Sequence, residues 1–134
     1  MLQIRDYMSR LTHSLTPQLG LAEALDRLHD AGLSGLPVLD PQQRLIGFLS
    51  EQDCIPSLLT GSYHCDTRTR IEDLMSRTPL SVSPDDSILE LARQMTGAKP
   101  KVYPVLEGNR VIGIISRRQV MQVLNAQMKA CLPT

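Results

Sequence analysis

Aromatic side chains are nearly absent from this sequence. It has one Phe, three Tyr and no Trp, 3% of 134 residues. A chain so poor in rings offers no platform for stacking single-stranded bases. Its core has to be built from Leu, Ile, Val, Met and Ala. Net charge is lacking too, because 14 basic and 14 acidic side chains cancel. The basic footprint of a general nucleic-acid binder is therefore missing. Cysteines are few, and Cys54, Cys65 and Cys131 show no paired spacing. That suits a reducing compartment better than a disulfide framework. No apolar run approaches a membrane span. The first residues, Met1 to Asp6, lack the apolar stretch of a secretory signal. The expectation is a cytoplasmic protein that engages neither membrane nor nucleic acid.

A length of 134 residues suffices for one ordinary domain or two very small ones, and a 42% apolar fraction is enough to build a core. The charge is unevenly placed. Residues 1–67 hold four basic and eight acidic side chains; residues 68–134 hold ten and six. The simplest reading is a solvated surface. Oppositely charged halves would also let two copies attract, or let the basic half face an anionic ligand.

The strongest organising signal is an internal repeat. Asp6-Tyr7-Met8-Ser9-Arg10 returns as Asp73-Leu74-Met75-Ser76-Arg77, Leu15-Thr16-Pro17 as Val82-Ser83-Pro84, and Leu36-Pro37-Val38-Leu39-Asp40 as Tyr103-Pro104-Val105-Leu106-Glu107, all at an offset of 67. One residue is then lost, so Leu45-Ile46-Gly47 matches Val111-Ile112-Gly113 at 66. Landmarks in the same order with a single gap mark two copies of one unit.

Each copy reads alike: a short helical start near Met8 or Met75, then an extended segment ending before Pro17 or Pro84, then a helix. Leu21, Ala24, Leu25 and Leu28 share one face of that helix in the first copy, with Gly32 as its stop. Ile88, Leu91, Ala92 and Met95 share a face in the second, with a capping-box spacing at Ser87 and Glu90. Two strands follow, Leu36–Leu39 and Leu45–Leu49 or Tyr103–Leu106 and Val111–Ile115, joined by a tight turn. A last helix opens at Ser50 or Ser116. Pro56 should kink or end the first of these. Met75, Met95 and Met121 read as core positions. The fold expected is α/β (α+β): two β-α-β-β-α repeats at 1–60 and 72–134, joined by a polar linker at 61–71. A unit this small cannot cover its own sheet, so the copies should pack as a pseudo-two-fold pair.

The repeated Asp-x-Met-Ser-Arg start, the Pro-Val-apolar-acidic strand and the strand-end pattern Gly-x-x-Ser-x-x-Asp, complete as Gly47-Phe48-Leu49-Ser50-Glu51-Gln52-Asp53, resemble a tandem pair of CBS domains, a Bateman module. The resemblance covers nearly the whole chain. It implies a stand-alone regulatory module, not a catalyst, that binds an adenosine-containing ligand such as AMP, ADP, ATP or S-adenosylmethionine between its repeats. It also implies a homodimer and a regulated partner that reads a conformational change.

Two roles compete for the serine and the aspartate. Ser50 with Asp53, and Ser116 with Gln119, both satisfy a capping box, which needs no charge. The carboxylate gains meaning if it accepts two hydrogen bonds from a ribose diol while free amides at the helix start meet a phosphate. The strand-end glycine would let the ligand approach. The resemblance assigns Ser50 to the phosphate side and Asp53 to the ribose. It places the adenine against Thr78-Pro79-Leu80 and the run around Lys101, with Arg117 and Arg118 toward the phosphates. The reciprocal cleft would use Ser116 and Gln119 with Thr12, His13 and Ser34, and should bind weakly or stay empty. His13, His29 and His64 show no metal spacing, His64-Cys65 reads as a polar linker, and no nucleophile–base pair is visible. A ligand-free dimerisation or interaction module with vestigial clefts is the alternative.

Overall fold

The computed structural model describes residues 2–64 and 68–132, with side chains except at 62–64. A two-residue strand β1 (Ser9–Arg10) precedes helix α1 (Leu21–Ala31), strands β2 (Gly35–Leu39) and β3 (Leu45–Ser50), and helix α2 (Glu51–His64). The second copy gives helix α3 (Ile88–Gln94), strands β4 (Val102–Glu107) and β5 (Arg110–Ser116), and helix α4 (Arg117–Ala130). Single 3-10 turns stand at Ile4–Asp6 and Ile71–Asp73, where the sequence has its short helical starts. The extended segments before the first helices appear as parallel bridges, Leu15 to Val38 and Val82 to Val105.

The one-residue gap between the copies lies in the hairpin turns. In the first, Asp40 Oδ1 accepts from the amides of Gln42 and Arg44, both at 2.9 Å, and Oδ2 from Arg44 Nε at 2.8 Å. Gln43 takes the left-handed conformation, φ 68°. The second uses the shorter Gly108-Asn109 turn, with Gly108 at φ 64°. The hairpins meet edge to edge: Leu45 N donates to Asn109 O and Val111 N to Gln43 O, each at 3.4 Å, around an Arg44–Arg110 bridge. This pairing of equivalent residues marks the pseudo-two-fold axis.

The two copies exchange their beginnings. The Ile4–Asp6 turn leaves its own repeat: Ile4 N donates to Asp86 O at 2.9 Å and Arg5 N to Pro84 O at 2.8 Å, and Ile4 is fully buried with Ile88, Tyr103 and Ile115. β1 then pairs antiparallel with β5, Ser9 opposite Ile114. Reciprocally, Ile71 N donates to Leu19 O and Glu72 N to Pro17 O, both at 3.1 Å, and Ile71 is buried with Leu15, Leu28 and Leu49. Ser76 bridges Phe48 of β3, with amide–carbonyl bonds of 2.9 Å in both directions. Each hydrophobic core thus contains an isoleucine from the opposite repeat.

Three local expectations change. Pro56 does not end α2, which runs to His64; a proline in the second turn forfeits one backbone hydrogen bond and the helix continues beyond it. The first four residues of the expected linker are consequently helical, while Cys65 and the side chain of His64 lie outside the described residues. Met75 is buried and Met95 half-buried, but Met121 is 61% exposed, on the outer face of α4. Ser87 caps α3 through the Leu89 and Glu90 amides, but Glu90 turns to Arg93 instead of closing a box.

Candidate functional site

Two clefts lie between the repeats, one at the start of α2 and one at the start of α4. In the first, the capping box forms as its spacing requires: Asp53 N donates to Ser50 Oγ at 3.2 Å and Ser50 N to Asp53 Oδ2 at 3.0 Å. Capping therefore uses one carboxylate oxygen. Oδ1 has no hydrogen-bond partner among the described residues, although Asp53 lines a cleft of about 510 Å³. Ser50, Thr78, Pro79, Leu80 and Lys101 line the same cleft. The structure thus brings together six of the eight residues singled out in the sequence. Arg117 and Arg118 line neither cleft; they stand exposed at the first turn of α4.

Sequence reasoning missed Ser34, Ser76 and Lys99 on this cleft. Ser34, expected on the reciprocal cleft, comes here because Gly35 pairs with Ser50, which sets the Ser34 carbonyl to accept from Glu51 N at 2.9 Å. The helix start is less open to an anion than the sequence suggests. Of the first three amides of α2, Glu51 is taken by Ser34 and Asp53 by Ser50, leaving Gln52.

The strand glycines also have another duty. A Cβ on Gly113 would lie 2.6 Å from Ser9 O, and one on Gly47 would lie 2.5 Å from Met75 Sδ and 3.0 Å from Ser76 O. Both glycines make room for the exchanged segment, not for a ligand.

The second cleft, about 550 Å³, is lined by Ser9, Thr12, His13, Ser116 and Gln119 among others. Its capping box is equally complete: Ser116 N donates to Gln119 Oε1 at 2.8 Å and Gln119 N to Ser116 Oγ at 3.3 Å. Gln119 does more than cap. Its Nε2 donates to Tyr7 O at 3.1 Å and to Ser9 Oγ at 2.7 Å. An aspartate has no donor with which to do this. In the first cleft the counterparts of these acceptors, Leu74 O and Ser76 Oγ, receive no such bond among the described residues. The Asp/Gln difference thus separates an unsatisfied cleft from one whose polar groups are joined internally.

Next to Asp53, Cys54 is fully buried and donates its thiol to Ser50 O at 3.4 Å. Burial, with smaller contributions from Asp53 and Glu51, pushes its pKa up to about 11. It is a core residue with no nucleophilic character at neutral pH. No cluster of three or more His, Cys, Asp or Glu that could hold a metal occurs among the described residues. None of the described helices is long and apolar enough to cross a membrane.

Two repeats that exchange their first segments and build paired clefts at equivalent helix starts define a tandem-repeat module whose sites belong to the pair. The CBS domain family model matches residues 4–59 and 71–126, and the chain belongs to that family. The solved structure of CBSX2 in complex with AMP is 26% identical, with a TM-score of 0.80 covering 96% of this chain and 99% of that one. CBSX2 is also known from Arabidopsis thaliana in a structure 25% identical, with a TM-score of 0.79 covering 98% and 99%. Among curated relatives, an A-adding tRNA nucleotidyltransferase of Aquifex aeolicus (strain VF5) is 25% identical over 128 residues, which are 96% of this chain and 15% of that protein. The chain spans 15% to 43% of the first curated relatives it matches. A CBS-pair fold is in general regulatory and not catalytic, and the enzymes among these relatives are longer chains that contain such a pair.

Proposed function

We propose that this chain is a regulatory module that binds an adenosine-containing ligand in the cleft at Ser50 and Asp53 and passes the change to a partner protein. One observation carries the reading: Asp53 keeps a carboxylate oxygen without a partner inside a cleft of ligand size, while the equivalent Gln119 is fully bonded. A ribose diol supplies the two donors that an ionised carboxylate accepts. The AMP bound to CBSX2, a protein of the same fold and 26% identity, supports an adenosine ligand. We place the protein in the cytoplasm.

The test is a thermal-shift titration with AMP, ADP, ATP and S-adenosylmethionine. A ligand at a hundred times its Kd adds roughly 2.7 kcal/mol. Asp53→Gln is the informative variant, because glutamine completes the capping box at the equivalent position of α4. The variant should keep its unliganded Tm or raise it, and lose the ligand shift. A shift preserved in Asp53→Gln would place the ligand elsewhere.

A second reading, a ligand-free interaction module, has its own observation. Ile55 and Leu59 on α2 and Met121 and Met128 on α4 are each more than half exposed, and Ile55 and Met121 are equivalent positions of the two repeats. We propose that these outer faces support a homodimer. The acidic first turn of α2 (Glu51, Asp53) and the basic first turn of α4 (Arg117, Arg118) favour an antiparallel arrangement. No thermal shift with any ligand, alongside a dimer lost in Met121→Lys, would favour this second reading.

A further inference from the structure

Equivalent surface positions of the two repeats carry opposite charge. Lys99, Lys101, Arg117 and Arg118 stand where the first repeat has Gly32, Ser34, Glu51 and Gln52. The second repeat thus has four cations where the first has one anion. The backbone brings the four together. Lys101 O accepts from Arg117 N at 2.7 Å, and Val102 lies opposite Ser116 in the hairpin. A change of helix length adds Lys99: α1 has 11 residues and α3 has 7. Gly97, with φ 85°, comes two positions earlier than Gly32 does in its repeat, and Pro100 could not donate to a continuing helix. The last turn is therefore an open loop, and its Lys99 and Lys101 form one lip of the Asp53 cleft.

All four side chains are exposed, and none has an ion pair or hydrogen bond among the described residues. Elsewhere the surface mixes its signs: Arg5 pairs with Asp85, Arg27 with Glu23, Arg44 with Asp40 and Arg93 with Glu90. The two arginines are also badly placed for helix stability. The first turns of α1, α2 and α3 carry Glu23, Glu51 with Asp53, and Glu90, whereas that of α4 has no acidic residue. Cations at a helix start oppose the backbone dipole. A local rule broken without a compensating contact inside the fold points to a contact outside it.

The occupant that complements this lip is anionic. None of residues 97–101 and 116–118 is aromatic, so nothing there stacks a base. The opposite lip carries Glu51 and Asp53. These would repel a flat anionic surface laid across the cleft, but not a narrow segment that follows the basic lip. We infer that the basic lip is the docking surface of a partner protein, which presents an acidic segment to it. The inference deepens the proposed function: it names the partner's chemistry and sets the partner against a wall of the cleft. The competing occupant is a second copy of this chain, which would bring its Glu51 and Asp53 to the same arginines.

The experiment is fluorescence anisotropy of a labelled oligo-glutamate peptide titrated with the whole chain at about 150 mM salt. It is run on wild type, Lys99→Ala/Lys101→Ala and Arg117→Glu/Arg118→Glu. The control, Arg110→Glu/Lys129→Glu, makes the same change of net charge at exposed positions off the lip. The peptide should bind wild type, weaken at least about tenfold in either lip variant, and weaken less than about twofold in the control. Arg117→Glu/Arg118→Glu should raise Tm while it loses the peptide, a result that damage to the fold would not give. Saturating AMP should change the peptide's affinity, and the peptide should change that of AMP by the same factor. No peptide binding, or an equal loss in lip and control variants, overturns the docking surface; AMP titrated alone still tests the adenosine site. Tighter binding of oligouridylate or of phosphatidylserine vesicles gives the lip to a nucleic acid or a membrane and overturns the acidic partner. A change of oligomeric state in Arg117→Glu/Arg118→Glu gives the lip to a second copy and does the same. Peptide affinity indifferent to an AMP that does bind overturns the lip as the surface that reads the cleft. An AMP that does not bind overturns the adenosine site and leaves the docking surface standing.

Discussion

Replacing Gln119 by aspartate gives the second repeat the residue of the first and tests whether that one side chain separates the clefts. Gln119 makes three side-chain bonds: it accepts from Ser116 N, and it donates to Tyr7 O and Ser9 Oγ. Aspartate can keep the first, as Asp53 does, but has nothing to donate. A net hydrogen bond contributes about 1 kcal/mol, and acceptors that water can reach lose less than buried ones. Gln119→Asp should therefore cost about 1–2 kcal/mol, a drop in Tm of about 3–10 °C for a chain this size. Gln119→Ala, which also loses the cap, should fall further by roughly 1 kcal/mol. The loss has an address, since amide exchange should quicken at Tyr7 to Arg10, where β1 rests on β5, and not at the equivalent Leu74 to Arg77. Calorimetry with ADP should then show a second binding event. An unchanged Tm together with unchanged exchange at Tyr7–Arg10 would refute the reasoning, because the amide would not be holding the exchanged segment.

Four other outcomes follow from the same structure. Tyr103 is buried and its hydroxyl has no hydrogen-bond partner among the described residues, so Tyr103→Phe should leave stability unchanged or raise it by up to about 1 kcal/mol; a loss of more than that would reveal a partner for the hydroxyl. Gly113→Ala sets a methyl against Ser9 O and should detach β1, read as a loss of protection at Ser9 and Arg10 in hydrogen exchange. Under native conditions at about pH 8, roughly one part in a thousand of Cys54 is thiolate, given its pKa of about 11; mass spectrometry after brief iodoacetamide treatment should find the exposed Cys131 modified and Cys54 intact. Hydrogen bonds from Arg44 and Gln42 hold the Asp40 carboxyl below its usual value. A depressed carboxylate stabilises the fold above its unfolded pKa and loses this as pH falls through the folded one, so Asp40→Asn should be less stable at neutral pH and flatten stability only below about pH 4.

The repeat was legible because its landmarks are punctuation: prolines at an offset of 67, and beyond the hairpin turn the strand-end glycines and the helix-start serines at 66, each fix a local conformation. Ser50 and Asp53 followed from the same rule, since a capping box is short-range. The exchange of first segments was not legible. Ile4 and Ile71 look alike in sequence whichever core receives them, and only the packing of two half-formed units decides that each fills the other's. This hid the real duty of Gly47 and Gly113. The resemblance set Arg117 and Arg118 toward the phosphates; both stand exposed on the first turn of α4, outside the lining of either cleft, while Gln119 on the same turn lines the second. Lys99 was missed on the first cleft because it falls where a helix of the length of α1 would have put a turn, and only the early Gly97 with Pro100 frees it.

The exchange also decides what one ligand can move. The Asp53 cleft joins the first turn of α2 to Ser76–Leu80, the stretch where the chain leaves the core of the first repeat to build the second. A ligand there bridges the crossing, as the amide of Gln119 already bridges the equivalent crossing at Tyr7–Ser9. It can shift the repeats only by its difference in affinity between their arrangements. With one crossing joined internally and one open, the proposed function gives a single chain one responsive site. Its saturation curve should be hyperbolic, with one adenosine ligand per chain. A Hill coefficient above one would then have to come from a second chain, so measuring it at protein concentrations above and below the dissociation constant of the proposed homodimer separates coupling across that dimer from coupling within the pair. Cooperativity that survives in the isolated monomer would mean that the Gln119 cleft is not shut.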